Sequence, residues 1–155
     1  MRRLLPLLFL AAPILPAQPS TYNGNVYGTF FAGVCQHGYG IFGGGGGAEG
    51  LIWKGVSLGG EISYQTFTDG WGLAFFTLQP GYHFKGKKRA SKWDPFVTFG
   101  MGLATSNHGG YGGTANLGAG ANYWFKDKMA VRFVARTQAV AEEGMFSFAI
   151  GLAFR

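Results

Sequence analysis

The stretch Phe146-Ser-Phe-Ala-Ile-Gly-Leu-Ala-Phe154 limits what this chain can fold into more than any other part of it. Every second residue is large and apolar, and every residue between is Ser, Ala or Gly. Successive residues of a β-strand face opposite sides, so one face here is a wall of Phe, Ile and Leu. A strand whose second face met water would carry Lys, Glu or Thr on it. This second face is small and uncharged. The pattern suits a barrel whose bulky face meets lipid and whose small face looks into a narrow interior.

The rest of the chain supports a β-protein with large apolar exposure. Charged residues make up 13% of the 155, about half the share usual in a soluble domain, while aromatic residues reach 17%. The 28 glycines are too many for a helical protein and lack the every-third spacing of collagen. Residues 1–17 read as a cleaved signal peptide: Arg2 and Arg3 form the basic start, Leu4 to Leu15 the apolar core, and Ala17 precedes the cleavage point. That apolar run is too short to span a bilayer, and no later run of about 20 apolar residues occurs. Residues 18–155 form the barrel domain. The lone Cys35 has no internal disulfide partner and reads as a buried small hydrophobe.

Eight strands follow from the period-2 pattern and its turn signals: about 26–35, 41–53, 56–67, 72–84, 95–105, 114–125, 129–140 and 146–154. The run Gly43 to Gly47 falls inside the second and predicts a tight bend or a close backbone approach. Pro80 cannot donate a ladder hydrogen bond, so the fourth strand must tolerate a gap or bulge there. An even number of hairpin-connected strands, each long enough to cross a bilayer at a tilt, predicts an all-β, eight-stranded antiparallel up-and-down transmembrane barrel. Such a barrel must close, because an open edge in lipid leaves backbone groups unpaired. Its interior is just wide enough for side chains. Trp53, Trp71, Trp93 and Trp124 all fall at strand ends, where an aromatic girdle is expected. With the N-terminus in the periplasm, three of the four lie on the periplasmic side.

Two segments resemble a known family. They are Lys92-Trp-Asp-Pro-Phe-Val-Thr-Phe-Gly-Met-Gly-Leu-Ala104 and Asn116-Leu-Gly-Ala-Gly-Ala-Asn-Tyr-Trp-Phe-Lys-Asp-Lys-Met-Ala-Val-Arg-Phe-Val-Ala-Arg136. An aromatic-Pro strand start, an alternating Gly strand, a short Asp-containing turn and a strand with inward Arg recur in that order in the outer-membrane β-barrel superfamily of small OmpA- and OmpX-like proteins. The resemblance implies an eight-stranded barrel inserted by the outer-membrane assembly machinery; a monomer surrounded by outer-membrane lipids, lipopolysaccharide among them, is expected. Family chains commonly end on an aromatic residue, whereas here Phe154 is followed by Arg155.

Candidate functional residues fall into three groups. Glu49, Glu61, Arg132 and Arg136 lie on strands; facing lipid would cost each a few kcal/mol, so they are expected to form an inward Glu–Arg network. That network reads either as core packing or as the constriction of a narrow pore. Lys85, Lys87, Lys88, Arg89 and Lys92 form a basic periplasmic turn, read either as solvated or as facing anionic headgroups or a polyanion. The secretion signal disfavours nucleic acid as a partner. The small-barrel resemblance also raises lipid A-modifying enzymes. Ser106, His108 and Glu142 or Glu143 supply hydrolase residue types, but the order Ser-x-His does not match the His-x-Ser of the deacylases. The expectation is therefore no enzyme. No cofactor or metal is expected either, because His37, His83 and His108 stand isolated in sequence and Gly43 to Gly47 lacks the Lys-Ser/Thr of a phosphate loop. The preferred role is structural or interactive in the envelope, with a narrow pore as the alternative.

Overall fold

The computed structural model describes residues 23–84, 92–141 and 143–155. The signal peptide assigned to residues 1–17 lies outside them, as do Lys85, Lys87, Lys88, Arg89 and Glu142. Eight strands run in chain order: β1 (Gly24–Cys35), β2 (Gly40–Trp53), β3 (Val56–Phe67), β4 (Gly72–His83), β5 (Trp93–Ser106), β6 (Tyr111–Lys126), β7 (Met129–Val140) and β8 (Glu143–Phe154). Each pairs antiparallel with its sequence neighbours, and β1 also pairs with β8, so the sheet closes into a barrel with no free edge. Where β1 begins and β8 ends is called the proximal end here. The turns β2–β3 and β6–β7 lie at that end, as do the end of β4 and the start of β5, and the connections β1–β2, β3–β4, β5–β6 and β7–β8 lie at the distal end.

The alternation read from the final strand holds in space. On β8, Phe148 is 64% exposed and Ile150 54%, while Ser147 and Ala153 are buried. Similar outward rows of Phe, Leu, Ile and Val run along β1, β3, β4 and β5. Each inward position of period 2 faces the lumen, so the chain buries its polar residues and exposes its apolar ones.

Local chemistry explains the irregular places. Lys54 and Gly55 both have positive φ, 42° and 96°, as a two-residue turn whose twist matches its strands requires. The β4–β5 ladder pairs Leu78 with Met101 and resumes at Gly81 with Thr98, so the gap expected at Pro80 is present. The five glycines remain in one strand. Gly43, Gly45 and Gly47 face inward, where a Cβ on Gly43 would stand 2.9 Å from the Phe31 ring and one on Gly47 2.6 Å from the Tyr27 hydroxyl. They make room for two aromatic rings in a lumen too narrow to hold them otherwise. The sequence placed a loop over 106–113, but Tyr111, Gly112 and Gly113 pair with Thr105, Ala104 and Leu103. Glycine's weak strand preference is overridden by continued pairing along a neighbour. Cys35 is buried beside Ile41, Phe75, Ala104 and Met145 at the distal end.

Candidate functional site

The lumen is filled in successive levels, whose order can be followed along β7. Its inward residues are Ala130, Arg132, Val134, Arg136, Gln138 and Val140 from proximal to distal end. Arg132 and Arg136 each meet one of the two glutamates.

At the first charged level Arg132 Nη1 donates to Glu49 Oε1 at 3.1 Å and to Asn122 Oδ1 at 3.2 Å. Asn25 Nδ2 donates to the same Glu49 oxygen at 2.6 Å. The guanidinium carbon lies 4.1 Å from the ring centroid of Tyr27 and 4.1 Å from that of Phe96, so the cation is stacked between two aromatic faces. His83 completes the level. Its Nδ1 stands 2.9 Å from Asp94 Oδ2 and its Nε2 3.4 Å from Glu49 Oε2. Asn122 Nδ2 also donates to Asp94 Oδ2, at 3.3 Å. Arg132, Glu49, His83 and Asp94 therefore form one buried polar chain across β7, β2, β4 and β5.

The second charged level is a fork. Both terminal nitrogens of Arg136 donate to Glu61, Nη1 to Oε1 and Nη2 to Oε2, the latter at 2.8 Å. The Tyr27 hydroxyl reaches Glu61 Oε2 at 3.1 Å and Gln79 Oε1 at 3.3 Å, linking the two levels. Further out, Gln65 Nε2 donates to Gln138 Oε1 at 3.0 Å, and Gln138 Nε2 to Thr114 Oγ1 at 3.3 Å. The apolar cluster of Cys35, Ile41, Phe75, Ala104 and Met145 then packs together at the distal end. At the proximal end Tyr27, Trp124, Ala130 and Ala153 pack together, with the Arg155 guanidinium 4.1 Å above the Trp124 ring.

Two sequence readings need correction. Trp124 is not on the outer wall with the other tryptophans, being only 6% exposed and inside the lumen. Period 2 places it in phase with Asn116 and Asn122, which also face inward. Trp53 stays outside, 63% exposed, because a bulge between Leu51 and Trp53 breaks the phase that would have turned it in. Trp71 and Trp93 are also exposed. The second correction concerns His83, which is isolated in sequence but not in space. Its partner Asp94 reads as the end of a polar connection, whereas it is the second residue of β5 and points inward. His83 shares the parity of Phe75, Thr77 and Gln79, the signal that would have placed it in the lumen.

Among the described residues the hydrolase types Ser106, His108 and Glu143 are not assembled. The Ser106 hydroxyl accepts from the His108 backbone N–H at 3.2 Å, while the His108 ring stacks on Trp71 and meets Asn107 Oδ1 at 2.7 Å. Glu143 pairs with His37 instead, at 2.9 Å. Among the described residues no three His, Cys, Asp or Glu side chains are grouped to hold a metal ion. Of the basic turn, Lys92 alone is described, and it is exposed.

No protein-family model matches the chain, and no curated protein matches it by sequence. Its three-dimensional structure is similar to several solved ones. Neisserial surface protein A superposes with a TM-score of 0.67 at 11% identity, over 84% of this chain and 94% of that one. The outer membrane protein OprG from Pseudomonas aeruginosa gives 0.63 at 9% identity, over 86% and 96%. The outer membrane enzyme PagL gives 0.59 at 16% identity, over 83% and 99%. An enzyme thus stands among the neighbours, and at these identities the likeness extends to architecture only. The chain has the fold of the small eight-stranded outer-membrane barrels.

Proposed function

We propose that this protein is an integral outer-membrane barrel with a structural or envelope-interaction role and a lumen closed to solutes. The observation that supports this reading is the succession of side-chain levels across the lumen. Between the proximal Trp124 cluster and the distal Phe75 cluster lie two ionic levels and a glutamine level, each hydrogen-bonded across the barrel. Eight strands leave an interior that side chains can fill, and here they are large ones. The outward rows of Phe, Leu and Ile support insertion in a bilayer, where they are covered by acyl chains. The partners implied are outer-membrane lipids, lipopolysaccharide among them, and the machinery that assembles such barrels. A monomer suffices, since a closed barrel leaves no edge to be paired.

A narrow pore is the second reading, favoured by the polar lining of the middle of the lumen, Glu49 to Gln138. Lipid A modification has less support, because Ser106 and the His108 ring are not paired. Single-channel recording of the purified protein in a planar lipid bilayer separates the first two. Folded, inserted protein is expected to be electrically silent. Discrete conductance steps from the wild type would overturn the closed-lumen reading in favour of the pore.

A further inference from the structure

All the lysines among the described residues, Lys54, Lys92, Lys126 and Lys128, are exposed at the proximal end of the barrel. They come from three separate connections, so only closure of the barrel collects them on one rim. The distal turns carry Asp69, Glu143, His37 and His108, and no lysine or arginine among the described residues. Three of the lysines are next in sequence to an outward aromatic: Trp53–Lys54, Lys92–Trp93 and Phe125–Lys126. At the first of these the ammonium stands 4.9 Å from the centre of the Trp53 ring.

Aromatic side chains at the ends of membrane strands sit at headgroup depth. A lysine stem lying along such a ring carries its charge to the same depth on the outer perimeter. Phosphates of the surrounding lipid are the groups found there. We infer that Lys54, Lys92, Lys126 and Lys128 form a collar that binds the phosphate groups of anionic phospholipids around the proximal rim. A cell-wall polymer would instead approach along the barrel axis. The collar rests on the membrane reading above, and it adds a lipid preference that a plain barrel lacks.

Electron paramagnetic resonance with spin-labelled lipids tests it on the full chain, in phosphatidylcholine vesicles. Spin-labelled phosphatidylglycerol is expected to be held at the protein surface roughly five-fold over spin-labelled phosphatidylcholine, the size of effect one lysine near an anionic surface supplies. The preference should shrink as salt is raised. It should fall to parity in the combined variant Lys54→Asn, Lys92→Gln, Lys126→Gln and Lys128→Gln, with Asn chosen because residue 54 has positive φ. Arginine at all four positions should restore it. Parity in the wild type, or a preference that survives neutralisation, would overturn the collar. So would parity combined with lysine-dependent co-sedimentation with insoluble peptidoglycan, which reassigns the rim to a polymer. Failure of the membrane reading gives a different result, with neither lipid immobilised and no heat-modifiable band on a gel.

Discussion

Arg132 touches four side chains of the lumen, and the cost of removing it follows from what it leaves behind. Its guanidinium lies between Tyr27 and Phe96 and donates to Glu49 and Asn122. Taking one member from a buried ion pair strands the other, a loss of about 3 kcal/mol or more. Arg132→Ala should therefore lower stability by about that amount, read as the urea midpoint of tryptophan fluorescence in detergent micelles. The double variant Glu49→Gln/Arg132→Met strands no charge and should recover a large part of it. A double variant no more stable than the single would show that the ion pair is not what stabilises this level. The sequence sends the four charged residues inward because a charge in lipid is expensive, and Glu49 and Glu61 also share their strand faces with Gly and Ser. Which glutamate meets which arginine was not legible, since Glu49 and Arg132 are 83 positions apart and meet across the closed barrel. The inward aromatics were hidden for another reason. Bulk alone sends Tyr27, Phe31 and Phe96 to the lipid side, and they fit inside only where Gly47, Gly43 and Gly120 lack side chains beside them.

The glycine run shows how an element can be shaped by the space it leaves. Gly47 and Gly60 are neighbours in adjacent strands, yet they face opposite sides of the wall. A Cβ on Gly47 would meet the Tyr27 hydroxyl at 2.6 Å and the Gly60 carbonyl oxygen at 2.5 Å, whereas one on Gly60 comes no closer than 3.7 Å to another atom. Gly47→Ala should cost about 1–3 kcal/mol by overpacking, while Gly60→Ala should stay within roughly 0.5 kcal/mol of the wild type. Both are read as unfolding midpoints under one set of conditions. Equal losses would mean that strand propensity, not lumen space, explains the run. At this scale the sequence was most informative, for β3 and β7 have the bounds read from alternation alone. It was least informative where β6 begins, because Gly112 and Gly113 give no alternation to read and pairing with β5 decides their state.

For the whole molecule, under the closed-lumen reading the levels around Arg132 and Phe75 are two obstructions in series, and the resistance of a series path is set by its tightest remaining member. The ionic level around Arg132 and the apolar level around Phe75 lie toward opposite ends and have no side chain in common. Opening one should leave the other closed. Arg132→Ala alone and Phe75→Ala alone are therefore expected to remain silent in planar bilayers, and the double variant to show discrete conductance steps. Removing the Phe75 ring takes a wholly buried side chain from the distal cluster and costs about 3–5 kcal/mol. Each variant is therefore first checked for insertion by its heat-modifiable migration and by far-ultraviolet circular dichroism. Conductance from Arg132→Ala by itself would mean that the distal cluster does not seal and that the charged level is the whole barrier. Silence from an inserted double variant would place a third obstruction in the path, and the fork of Arg136 on Glu61 is the next residue pair to remove. Only a lumen closed at independent levels gives silence from both single variants and current from the double.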